Sequence, residues 1–343
     1  MNNLKTGLNL AVGTLAITAA ILMSAPALAG DKGKLTVLVD TFPIYQIVKN
    51  VTAGDNGINV ELLLSPELGC PHNYVLTPAD MRKIAGADVL VTNGLELDSF
   101  LNSADLRANS KLRGIDSSAG IQGILQSAEA CEGDHDKEDD DHSDHGAAAH
   151  AGHDHHEKAS HKVKDSHAHA GANPHLFASP LMSAKLAVNI AIKMSEIRPG
   201  VKSLYQNNAA LFMSRMRVLN DEFTAAVKRL KNNRIVTQHG VFDYLARDVG
   251  LEIVAVIQTH PGSEPSASEM LGLVKKIKEK KAGAVFAEPQ YAMKVPQTIA
   301  KEAGIPVANL DPVASGPAGA ANDYFEKTMR ANIQILEKTL GTR

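Results

Sequence analysis

The sequence predicts an α/β protein built as two doubly wound α/β lobes joined by one long rigid helix, with a binding cleft between the lobes. Three observations lead to this. Short apolar runs alternate with helical stretches in both halves of the chain, the pattern of parallel sheets with crossover helices. One amphipathic stretch of about thirty residues separates the halves. The chain, at 343 residues, is also longer than one hydrophobic core comfortably fills.

Taken in order, the chain opens with an export address over residues 1–29. Lys5 precedes an apolar run at 10–23, and Ala27-Leu28-Ala29 stands before Gly30, the composition of a cleaved secretory signal. The run is shorter than the ~20 residues a bilayer span requires, and no cysteine follows the cut to carry a lipid. A soluble periplasmic protein, cleaved near Ala29, is therefore expected. Losing the leader removes only Lys5 from 35 basic residues and none of the 38 acidic ones. With no basic stripe interleaved with aromatics, this balance argues against nucleic acid as a partner.

The first lobe is expected over 30–198. Leu35–Val39, 60–64 and Val89–Thr92 read as buried strands, with helical stretches at 43–50 and 77–85, and Pro180–Ile197 reads as a further helix. The linking helix is expected over 199–231, punctuated at its start by Pro199 and Gly200. Val201, Leu204, Tyr205, Leu211, Phe212, Met216, Leu219, Phe223, Val227 and Leu230 recur at three- and four-residue steps along one face. The second lobe, 232–343, repeats the first. Its strand candidates are Arg234–Thr237, 253–257, Ala284–Ala287 and 307–310, with helices at 241–248, 266–280 and 295–303. A stiff helical connector predicts small lobe motions on loading.

One insert interrupts this pattern. Residues 131–171 form a low-complexity segment holding ten of the fourteen histidines: His135, His142, His145, His150, His153, His155, His156, His161, His167 and His169. So little apolar surface cannot offset ordering entropy, and the segment is expected to be a disordered loop. Imidazole suits zinc, copper and nickel, whereas alkaline-earth ions prefer oxygen, so the loop points to a late first-row metal and to auxiliary metal binding.

Four histidines lie outside the loop. In open α/β sheets ligands bind beyond the carboxyl ends of the strands, and three of the four fit that geometry. His239 follows Arg234–Thr237, His72 lies between strand 60–64 and the next helix, and His175 stands just past the loop. Three imidazoles fill most of a tetrahedral zinc shell, so His260, in Thr259-His260-Pro261-Gly262, is read as a surface residue. Glu288 and Asp311 each end a second-half strand and compete for the fourth place, the other orienting an imidazole N–H.

These residues carry a resemblance. Pro71-His72-Asn73-Tyr74 with Thr77-Pro78-Ala79-Asp80, Asn173-Pro174-His175, Gln238-His239-Gly240-Val241-Phe242-Asp243-Tyr244-Leu245, Glu264-Pro265-Ser266, Glu288-Pro289-Gln290 and Leu310-Asp311-Pro312 closely resemble, in order and over essentially the whole mature chain, the metal-binding receptors of ABC importers. The match is to the ZnuA-like zinc-uptake group, cluster A-I. The resemblance implies Zn2+ as cargo between two lobes, bound by the residues matching His72, His175 and His239. The position of Asp311 supplies a carboxylate ligand in some members and a nearby unused one in others. It also implies a membrane permease as partner, no catalysis, and a monomer, with a metallochaperone as a candidate loading partner. Manganese-selective relatives carry glutamate at the position of His239, and replacing oxygen by nitrogen there turns preference toward zinc.

The chain has two cysteines, Cys70 and Cys131. Export favours a disulfide between them, tethering the loop beside the site and contributing about 4 kcal/mol on a chain-entropy basis. The rival role, Cys70 as a thiolate ligand, is set aside because Cys70 lies only two residues before His72. Two other functions compete with a carrier. A zinc hydrolase would use three histidines plus water with Glu288 as general base, but H-E-x-x-H spacing is missing. A zinc-storage protein would keep the loop and need no membrane partner.

Overall fold

The computed structural model describes residues 33–72, 74–101, 106, 109–127, 171–258 and 264–343. The expected signal, the ten loop histidines, Cys131 and His260 lie outside these residues. From Leu35 to Arg343 the chain forms one body containing both sheets.

Each lobe is built on a four-stranded parallel sheet. The first contains β1 (Leu35–Val39), β2 (Ile58–Leu62), β3 (Val89–Thr92) and β4 (Arg113–Asp116) in the order β2-β1-β3-β4. The second contains β5 (Arg234–Thr237), β6 (Glu252–Val256), β7 (Ala284–Ala287) and β8 (Val307–Asn309) in the order β6-β5-β7-β8. The two sheets therefore share one topology, and every pairing is parallel. β4 escaped the sequence reading because Arg113-Gly114-Ile115-Asp116 offers one buried apolar side chain, as an edge strand can.

The helices are α1 (Phe42–Val51), α2 (Pro78–Gly86), α3 (Pro180–Ile197), α4 (Lys202–Arg229), α5 (Asp243–Val249), α6 (Ala267–Glu279), α7 (Lys294–Ala303) and α8 (Tyr324–Leu340). Capping boxes start α2, between Thr77 and Asp80, and α6, between Ser266 and Glu269, which satisfies N–H groups the first turn leaves free. Helix α8 is a finding the sequence reading lacked, although Phe325, Met329, Leu336 and Leu340 bury one face of it.

Strand alternation divides the core into three parts. Val37 and Val39 of β1, Ile235 of β5, and Ala284 and Phe286 of β7 point into one central cluster that also takes in α1, α3, α4 and α8. Leu38 and Leu90 point the other way, under α2. Val236 and Val285 do the same under α6 and α7. The 28 residues of α4, about 42 Å at 1.5 Å per residue, pack on α1, α3, α5 and α8 and so touch both lobes.

Polar locks fix this spine. Asp55, in the α1–β2 connection, takes two hydrogen bonds from the Arg198 guanidinium, each at 2.9 Å, and one from the Tyr205 hydroxyl. Farther along α4, Arg215 donates to Asn50 of the first lobe at 2.6 Å and to Glu326 of the second at 2.7 Å. Among the described residues, no helix is long and apolar enough to cross a membrane.

Candidate metal centre

In doubly wound sheets the crevice opens where strand order reverses, here between β1 and β3 and between β5 and β7. Both lobes bridge that point alike. Asp40, just past β1, accepts the N–H of Asn93, just past β3, at 2.7 Å. Gln238, just past β5, accepts the N–H of Glu288, just past β7, at 3.2 Å.

In the second lobe the next residue is His239, whose Nδ1 lies 2.5 Å from Glu288 Oε1. A carboxylate acceptor assigns the proton to Nδ1 and leaves the Nε2 lone pair free. That Nε2 is buried with no hydrogen-bond partner. The other Glu288 oxygen accepts from Gln290 Nε2 at 2.8 Å.

In the first lobe Asn93 donates to the Pro174 carbonyl at 3.0 Å and so holds the segment carrying His175. Asn173 completes the hold. Its Oδ1 accepts the His175 backbone N–H at 3.0 Å and Nδ1–H at 2.9 Å, which again frees Nε2. Its Nδ2 donates across the cleft to Gly240 O at 2.8 Å and Asp243 Oδ2 at 2.9 Å, beside His239. Just ahead of it, Asn173 N–H donates to Leu125 O and Ser127 N–H to Gly171 O, so a short antiparallel clasp closes the base of the histidine-rich segment next to the site.

His72 Nε2 lies 3.1 Å from His175 Nε2. The three imidazole rings meet with centroids 5.0 to 6.1 Å apart. Cys70 joins them: one ligand atom from each of Cys70, His72, His175 and His239 lies within 4.8 Å of the others. Zinc bonds of about 2.0–2.3 Å imply tetrahedral edges of about 3.3–3.8 Å, so these four atoms surround one ion after small shifts, the His72–His175 pair opening and the wider pairs closing.

The electrostatics suit a cation. Burial, then the neighbouring His239 and His72, push His175 well below the usual imidazole range, which keeps it neutral and ligand-ready. At His239 burial also disfavours charge, but the Glu288 carboxylate, with Cys70, outweighs it and raises the imidazole to about 10. Burial raises the Cys70 thiol, with His239 opposing. The Glu288 carboxylate thus favours positive charge at His239, which a bound ion can supply in place of a proton.

Asp311 is outside the four-residue group. Its Oδ1 accepts Val313 N–H at 2.8 Å, and Asn332 grips its backbone N–H and carbonyl. Val313 needs that support because it holds φ 63°, a left-handed conformation that β-branched residues disfavour. Cys70 carries a thiol turned toward the histidines, and the expected bond to Cys131 falls on a residue outside the described ones. Residues two apart on an extended chain face the same side, and Cys-Pro-His brings both side chains to the same group. Asn173, though noted within its motif, had no assigned role.

The sequence profile of the ZnuA family, zinc-uptake complex component A, periplasmic, matches residues 37–339. The chain belongs to this family. Among relatives of this ZnuA-family chain is the zinc-binding lipoprotein AdcA of Streptococcus pneumoniae serotype 4, 29% identical over 310 residues that cover 90% of this chain and 56% of AdcA. The chain thus spans little more than half of that relative's length. A crystal structure of ZnuA superposes with a TM-score of 0.68 at 24% identity, covering 90% of this chain and 100% of the other. The structure of FpvC from Pseudomonas aeruginosa in complex with Mn2+ gives 0.68 at 23% identity, covering 90% and 98%. At these identities the structural likenesses establish the shared fold alone.

Proposed function

We propose that the protein is a periplasmic receptor that captures Zn2+ between its lobes and delivers it to the membrane permease of an ABC importer. The observation that carries this is the convergence of three imidazoles from both lobes, two of them with Nε2 freed by a buried acceptor on Nδ1. His72 and His175 bind from the first lobe and His239 from the second, with Glu288 orienting His239. Membership of a zinc-uptake family supports the cargo, and AdcA is itself named zinc-binding. The histidine-rich segment, clasped beside Asn173, collects further ions at lower affinity.

Titration of the purified mature protein with zinc against a chromophoric chelator tests the reading. One tight site is expected, lost in His175→Ala. Tight binding that survives that substitution, or no binding able to compete with the chelator, overturns it. Delivery is tested by growth of a deletion strain under zinc limitation, where normal growth would count against import. Measurable ester or peptide hydrolysis by the zinc-loaded protein would favour a hydrolase instead.

A further inference from the structure

We propose that Cys70 is the fourth metal ligand, so that the ion is held by three imidazole nitrogens and one thiolate and the site is tuned toward thiophilic cations. This rests on the carrier reading above and adds to it the residue that sets metal preference.

The thiol is the remaining donor in reach. Glu288 gives one oxygen to His239 and the other to Gln290, and Asp311, with one oxygen on the turn at Val313, lies outside the four-residue group. Cys70 Sγ, by contrast, lies within 4.8 Å of one nitrogen from each of His72, His175 and His239. The buried Nε2 of His239 has no hydrogen-bond partner and faces the same centre, an independent sign of a missing ion.

The backbone is built to deliver that sulfur. Gly69, immediately before Cys70, holds φ +77°, and a Cβ there would stand 3.0 Å from Gln290 Cγ of the second lobe. Glycine therefore permits both the left-handed turn and the close approach of the lobes. Gln290 also holds Glu288, so one chain of contacts runs from the turn at Cys70 to the carboxylate orienting His239.

On binding, the S–H bond breaks, a metal–sulfur bond forms and the proton leaves to solvent, with no change of oxidation state. Thiolate is a softer donor than carboxylate or water, so it favours zinc, cobalt and cadmium over manganese. It also closes the tetrahedron without a water, which suits a carrier better than a catalyst.

Cobalt(II) loading of the full chain, kept reduced with a non-chelating phosphine, tests the proposal. Expected are a sulfur-to-cobalt charge-transfer band in the near ultraviolet for wild type and Cys131→Ser, its loss in Cys70→Ser, and its loss on displacement by zinc. Cys70→Ser should keep one zinc per chain at the central site, with affinity lowered by more than the roughly 10- to 100-fold that loss of an orienting partner costs and zinc-over-manganese preference reduced. An unchanged circular-dichroism melt of metal-free Cys70→Ser separates loss of a ligand from misfolding. A band that survives Cys70→Ser, or tight binding of zinc and cobalt without any sulfur band, overturns the thiolate while leaving the carrier reading intact. Absence of tight zinc binding in wild type overturns both.

Discussion

At the scale of single residues, the centre depends on groups that never touch the ion. Glu288 fixes the tautomer of His239, and Asn173 fixes that of His175 while tying the lobes together. Loss of such orienting partners typically lowers metal affinity about 10- to 100-fold. Glu288→Gln and Asn173→Ala should each fall in that range by competitive chelator titration, with stoichiometry unchanged, and wild-type affinity in both would refute the orienting role. Asp311 separates two roles in the same way. If its carboxylate serves the turn at Val313, Asp311→Ala should cost about 1–2 kcal/mol of metal-free stability and leave zinc affinity near wild type. A large affinity loss at unchanged stability would instead return Asp311 to the coordination shell.

At the scale of elements, the Asp55 lock joins the α1–β2 connection to the start of α4. Burial would raise the Asp55 carboxyl, but the Tyr205 hydroxyl, the Gly57 N–H and the Arg198 guanidinium together hold it below its ordinary value of 3.8. A lowered carboxyl pKa means the folded state binds the proton less readily than the unfolded one, so its stabilisation is present above about pH 4 and is lost as pH falls through the native value. Because the carboxylate accepts from Arg198, Tyr205 and Gly57, Asp55→Ala should cost about 2 kcal/mol near neutrality. The gap between wild type and variant, measured by denaturant unfolding, should narrow steadily below pH 4. A gap that stays constant down to pH 2 would contradict the linkage.

At the scale of the whole molecule, one central cluster joins both sheets through α3 and α4. Phe223 lies fully buried within it, so Phe223→Ala should cost about 3–5 kcal/mol and lower a single calorimetric transition. Two resolved transitions, one per lobe, would show that the lobes do not share a core. The same continuity predicts little change in radius of gyration by solution scattering when zinc binds. Deleting 132–169 should remove the weaker zinc equivalents and keep the tight one, because the clasp at Gln126 and Ala172 closes the segment's base without it. Unchanged total stoichiometry would show that the segment adds no metal sites.

Much of this was legible in the linear chain because it is encoded by near neighbours. The apolar run at Leu35–Val39, the three- and four-residue steps of the linking helix, and histidines placed just beyond strands are all local features of the sequence. Where local patterns were weak, the reading fell short: β4 has one buried apolar residue, and the apolar face of α8 went unread. What only the tertiary structure decided is which donors converge. Cys70 and His72 meet His175 and His239 from more than a hundred residues away, and no spacing rule reaches that far. Nor could composition reveal that Asp311 is engaged by a strained turn while a thiol turns toward the histidines, because a side chain's availability depends on what folding packs against it. Sequence determined the scaffold and the kind of ligand, and tertiary packing selected the atoms, since periodicity is a property of one segment and convergence a property of several.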